Sequence, residues 1–144
     1  MKDTEVLLVE DSVGDVLLTR QFLTELPIRL RIARDGLQAL LMLADPSFKP
    51  ALVILDLNIP DISGHEVLAR YHPKNPPVVV FTSSWNESEK VRALAMGARE
   101  YVIKPMDLDE YSELVRGMVG RWALRTEKSD AAAAGETSAP ASVQ

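Results

Sequence analysis

Five consecutive apolar residues, Ala51-Leu52-Val53-Ile54-Leu55, stand immediately before Asp56. A run with no polar member does not alternate with a period of two, so it predicts a strand covered on both faces, as in the middle of a parallel sheet. In an open α/β sheet, ligands gather beyond the carboxyl ends of the strands. Asp56 is therefore predicted to be a carboxylate on a rigid mount, accessible to chemistry.

Other short runs share this character. Glu5-Val6-Leu7-Leu8-Val9 ends in Glu10-Asp11, and Val78-Val79-Val80-Phe81 ends in Thr82-Ser83-Ser84. Tyr101-Val102-Ile103 ends in Lys104-Pro105, and Leu30 to Ala33 makes a shorter strand before the turn pair Asp35-Gly36. Segments of helical period lie between them: Val16, Leu17, Arg20, Phe22, Leu23 and Leu26 up to Pro27, then Leu37, Leu40, Leu41 and Ala44. His65 to Tyr71 makes a brief helix. Val91, Leu94, Ala95 and Ala98 share one face, as do Leu108, Tyr111, Val115, Met118, Val119 and Trp122. Ser12 with Asp15, Ser84 with Glu87, and Asp107 with Glu110 have capping-box spacing.

Strands alternating with helices make right-handed βαβ units on a parallel sheet. The expected fold is α/β, a doubly wound five-stranded parallel sheet of flavodoxin-like (βα)5 type with strand order 2-1-3-4-5. That order sets the first and third strands side by side, so Glu10, Asp11 and Asp56 converge.

The 144 residues, 47% hydrophobic, fit one compact domain, placed at residues 1–125, while residues 126–144 have little to bury and read as a disordered tail. No apolar run approaches the roughly 20 residues that span a bilayer, and no signal-peptide pattern opens the chain, which predicts a cytoplasmic protein without a membrane partner. Zero cysteines exclude disulfides and thiolate sites, and two histidines argue against a histidine-built metal centre. His65 and His72 are expected at the surface. The net charge of −5, with scattered lysines and arginines, argues against direct DNA binding.

Three converging carboxylates need a raised pKa or a cation. Hard oxygen donors without histidine or cysteine point to Mg²⁺. Lys104 and Thr82 add an ammonium and a hydroxyl, so the group suits a phosphoryl attached to Asp56.

Val9-Glu10-Asp11, Leu55-Asp56-Leu57-Asn58-Ile59-Pro60, Gly64, Phe81-Thr82-Ser83 and Tyr101-Val102-Ile103-Lys104-Pro105 together resemble the CheY-like receiver domain of two-component response regulators. The resemblance implies that Asp56 accepts phosphate from a sensor histidine kinase or phosphotransfer protein. It implies that Glu10, Asp11, Asp56 and the backbone carbonyl of Asn58 hold Mg²⁺, and that Lys104 contacts the phosphoryl group. Thr82 and Tyr101 take the switch roles; read alone, Tyr101 would be a packing residue. The face of the fourth helix, fifth strand and fifth helix is implied as a docking or homodimer surface. Glu10 to Leu18, with Val78 to Ser84 and Asn86-Glu87, resembles single-domain regulators that partner phytochrome kinases. Such a chain is a phosphoacceptor rather than an enzyme. Two other readings stand beside it: an aspartyl-phosphate phosphatase, which wants an acid where Asn58 stands, and a docking module that takes no phosphate.

Overall fold

The computed structural model describes residues 3–71 and 76–124. His72 and the tail expected over residues 126–144 lie outside the described residues. The elements alternate as β1 (Thr4–Val9), α1 (Val13–Phe22), β2 (Ile28–Ala33), α2 (Gly36–Ala44), β3 (Leu52–Leu55), α3 (Gly64–Tyr71), β4 (Val78–Thr82), α4 (Glu87–Ala95), β5 (Glu100–Ile103) and α5 (Leu108–Trp122). The strands form one parallel sheet in the expected order β2-β1-β3-β4-β5. Val9 of β1 is in register with Leu55 of β3, so the residues that follow them leave the sheet next to each other.

Every residue of β3 and β4 is buried. The reason is that alternate side chains feed two cores, one on each face of the sheet. Leu7, Val9, Val53, Leu55, Val78 and Val80 pack with α2, α3 and α4, whereas Val6, Leu8, Leu52, Ile54, Val79 and Phe81 pack with α1 and α5. Each such side chain contributes about 1.5–3 kcal/mol when it leaves water, which is why these strands carry no polar alternation. No helix among the described residues is long and apolar enough to cross a membrane.

The caps explain where helices start. Ser12 Oγ accepts from Asp15 N at the start of α1, Asp35 accepts from Gln38 N before α2, and Asp107 accepts from Glu110 N before α5. At α4 the expected Ser84–Glu87 box is replaced: Asn86 Oδ1 accepts from Ser88 N and Glu89 N, and Ser84 Oγ donates to Glu89 Oε1 instead.

Helical period located the helices better than their buried faces. On α2 the buried residues are Gly36 and Ala39, with Leu37 and Leu41 left 50% and 64% exposed. Small residues let that helix end close against the loop after β3, where Gly36 N donates to Pro60 O. On α4 Ala93 is buried, whereas Val91 is 58% and Leu94 39% exposed. Trp85 is exposed, and Trp122 is half-buried with its indole N–H donated to Glu100 Oε2 at 2.9 Å.

His65 departs from its expected place at the surface. It lies buried in the first turn of α3, and neither ring nitrogen has a hydrogen-bond partner among the described residues. Burial, with Arg92 facing it and Glu89 opposing, pushes its pKa below the ordinary value. A base with a depressed folded-state pKa contributes full stability above its unfolded pKa of about 6.5 and loses it as pH falls below that value. Denaturant unfolding from pH 8 to 5 should therefore show a loss that is smaller in His65→Leu. Equal pH slopes in the two proteins would remove His65 as its cause.

Candidate functional site

Backbone hydrogen bonds run past the strand ends and hold the first residue beyond each. Glu10 N donates to Ala33 O at 2.9 Å, Asp56 N to Val9 O at 3.1 Å, and Lys104 N to Thr82 O at 2.7 Å. Glu10, Asp56 and Lys104 therefore project from fixed points on β1, β3 and β5.

Their side chains meet. Lys104 Nζ donates to Glu10 Oε1 at 2.6 Å, to Asp56 Oδ2 at 2.9 Å and to Asp15 Oδ2 at 2.9 Å, which uses all three ammonium donors. The lysine side chain is only 6% exposed. Each carboxylate is held at its second oxygen as well: Ser12 N donates to Glu10 Oε2 at 3.1 Å, Asn58 N to Asp56 Oδ1 at 3.0 Å, and Tyr111 Oη to Asp15 Oδ1 at 3.2 Å. The ammonium also lies 5.9 Å from the centre of the Phe81 ring, on the sheet floor.

Burial decides the electrostatics. It pushes the Glu10 carboxyl up to about 7, helped by the charge of Asp56 and opposed by Lys104. Burial acts to lower Lys104, but its bonds to Glu10 and Asp15 and the charges of Asp56 and Glu10 outweigh this and hold it above its ordinary range. The lysine therefore stays charged. An excess of acid remains around it, because Asp11 stands exposed at the rim, where its backbone carbonyl accepts from Arg34 at 3.5 Å.

Among the described residues no three acidic or histidine side chains stand as a ready metal cage; the acids converge on an ammonium instead. The donor chemistry nevertheless suits a hard divalent cation, since every group is a carboxylate or carbonyl oxygen and negative charge is in excess.

Thr82 is fully buried at the end of β4, and its Oγ1 accepts from Ser84 N at 3.4 Å. Tyr101 is half-buried on β5; its hydroxyl donates to Ser84 O at 2.9 Å, and its ring packs against the α2–α3–α4 core. Burial raises the pKa of that phenol. Thr82 and Tyr101 are thus joined through one residue of the β4–α4 loop.

Two participants were not singled out by sequence. Asp15 reads as a capping-box acid, yet its carboxylate turns to Lys104 and Tyr111 while Glu10 takes the Ser12 N–H. Tyr111 reads as one apolar residue of α5, although a hydroxyl on a buried helix face is itself a signal that a polar partner waits there.

The sequence pattern of the response regulator receiver domain matches residues 6–116, a span holding Glu10, Asp11, Asp15, Asp56, Asn58, Thr82, Tyr101, Lys104 and Tyr111. The chain belongs to the response regulator receiver family. Receiver domains are signalling domains. Over 128 residues this one is 37% identical to response regulator Rcp1 of Synechocystis sp., covering 81% of this chain and 87% of that protein. It is 36% identical to the transcriptional regulatory protein KdpE of Mycobacterium tuberculosis, of which it spans only 52%. The phosphorylated cyanobacterial phytochrome response regulator RcpA superposes with a TM-score of 0.78 at 30% identity, over 83% of this chain and 94% of that one. The Mn²⁺-bound form of Rcp1 does so with a TM-score of 0.72 at 34% identity, over 81% and 92%.

Proposed function

We propose that this receiver is a phosphorylation switch in which Asp56 accepts a phosphoryl group from the phosphohistidine of a sensor histidine kinase or a phosphotransfer protein. The observation that carries it is the direct bond from the buried Lys104 ammonium to Asp56. An Asp56 carboxylate oxygen attacks phosphorus, the P–N bond breaks, and the departing imidazole keeps its electron pair and takes a proton. Lys104 neutralises charge on the transferring oxygens, and Thr82 supplies a hydroxyl donor. Glu10, Asp11, Asp56 and the Asn58 carbonyl would hold Mg²⁺, whose chemistry is to neutralise the same oxygens. At position 58 a phosphatase would want an acid; here Asn58 supplies none, which favours the phosphoacceptor reading.

The signal leaves through Thr82, Ser84 and Tyr101 to α4, β5 and α5. Apolar side chains on that face, Val91, Leu94, Ile103 and Leu108, are 39–58% exposed, which suits docking of a protein partner or a second copy. The likeness to RcpA supports a phytochrome kinase as donor, and the acidic, membrane-free character supports a cytoplasmic site of action. The receiver unit is taken to end near residue 125.

The test is intact mass after incubation with Mg²⁺ and acetyl phosphate. One acid-labile phosphate per chain is expected, absent without Mg²⁺ and absent in Asp56→Asn. No mass gain, or a gain that survives Asp56→Asn, overturns the proposal, and steady hydrolysis of unrelated phosphate esters would favour an enzyme.

A further inference from the structure

Asp15 and Tyr111 have no part in the phosphoryl chemistry above, yet the structure spends well-aligned groups on them. The Asp15 carboxylate bridges two residues that both lie far from it in the chain: Oδ2 takes the Lys104 ammonium and Oδ1 takes the Tyr111 hydroxyl. Tyr111 is 3% exposed and wedged edge-on against Phe81, ring centres 5.1 Å apart and planes at 71°, with Phe22 of α1 at 5.9 Å. The ring therefore has little freedom, and its hydroxyl is a fixed donor. Burial pushes that phenol up to about 12, so the proton remains on it at any physiological pH.

We propose that Asp15 is a positioning residue for Lys104: oriented by the Tyr111 hydroxyl, it anchors the ammonium from α1 as a third acceptor beside Glu10 and Asp56 and ties its place at Asp56 to the seating of α5. The physical need is clear from the stem of lysine, which is long, flexible and has no preferred fork geometry. Glu10 and Asp56 alone would leave one ammonium donor unassigned and the group free to swing. With Asp15 all three donors are engaged, so the charge waits where the phosphoryl oxygens will be. A shift of α5 would reach Lys104 through Tyr111 and Asp15, giving that helix a way to tune phosphorylation.

The inference rests on the phosphoacceptor reading for its kinetic arm alone. Asp15→Asn keeps the shape of a side chain that is 27% exposed, so the fold should survive. Its phosphorylation by acetyl phosphate should slow roughly tenfold, short of the roughly hundredfold that a full ångström of misplacement costs. Tyr111→Phe should slow it less, and the double variant no more than Asp15→Asn, because the phenol acts through the carboxylate. Independently, the side-chain nitrogen resonance of Lys104, assigned by its loss in Lys104→Met, should move or broaden in Asp15→Asn. An Asp15→Asn rate at or above wild type, an unmoved resonance, or additive losses in the double variant would overturn the proposal. Should wild-type protein take no phosphate at all, the phosphoacceptor reading falls, and the Lys104 resonance still decides this one.

Discussion

Lys104→Met should both unfold more easily and lose phosphoryl acceptance. The methionine keeps the stem and removes the charge, leaving Glu10 and Asp56 buried beside Asp15 with no ammonium between them. Stripping the partner from buried ions costs several kcal/mol, and partial exposure of Asp15 moderates this to about 3 kcal/mol at pH 8. The loss should shrink on acidification. Glu10, already raised to about 7 with Lys104 present, loses the contacts that lower it and takes up a proton readily. A carboxyl whose folded pKa lies above its unfolded value destabilises the fold at high pH and ceases to do so as pH falls towards its unfolded value. Urea unfolding at pH 8 and pH 5 checks both points. Millimolar Mg²⁺ should stabilise the variant more than the wild type, since it meets a site with no competing cation. In the acetyl phosphate assay, loss of one such preorganised charge should slow acceptance by about 10²–10³. A variant as stable as wild type at pH 8 would show that the acids are not buried against the lysine as described.

Gly64→Ala should damage the fold and phosphoryl acceptance together, because the added methyl meets the segment that carries Asp56. A Cβ there would stand 2.5 Å from Leu57 Cα and 2.8 Å from Asp56 O. Both are backbone atoms, and they cannot swing aside. Gly64 N also donates to Leu57 O at 3.0 Å, so the start of α3 is tied to the segment the methyl would push. Overpacking of this kind costs about 1–3 kcal/mol. What moves is the peptide carrying Asp56 itself, so acceptance should fall by roughly ten- to a hundredfold even in protein that folds. The melting temperature and the phosphorylation rate of the purified variant check the two effects separately. Unchanged values for both would mean that α3 relaxes away from the loop without disturbing Asp56.

The amino-acid sequence is most legible where one residue property has one physical outcome. Runs such as Val78 to Phe81 can only be covered on both faces, and acids, a threonine and a lysine directly after such runs can only stand at strand ends. Faces of helices were less legible. Leu37 and Leu41 have the right spacing to be buried, but the helix turns Gly36 and Ala39 inward, and at Gly36 the loop after β3 comes too close for any side chain. His65 shows the converse: a polar side chain whose ring nitrogens have no hydrogen-bond partner among the described residues, buried because its neighbours on α3, Gly64, Val67 and Leu68, face the core. Hydrophobic period carries no record of how near the next element stands.

By itself, then, the order of residues determined the strands and the strand-end positions of Glu10, Asp56, Thr82 and Lys104, because burial and the pleat act locally along the chain, while the alternation of strands with helices pointed to the doubly wound parallel sheet and its order. Only the tertiary structure decided how those groups divide their bonds. Lys104 lies 89 residues from Asp15, and Asp15 lies 96 from Tyr111. Contacts at such separations depend on how α1 and α5 pack against the sheet and on which acceptors an ammonium with three donors can reach at once. That is a matter of distances in space, which the spacing of residues along the chain does not contain.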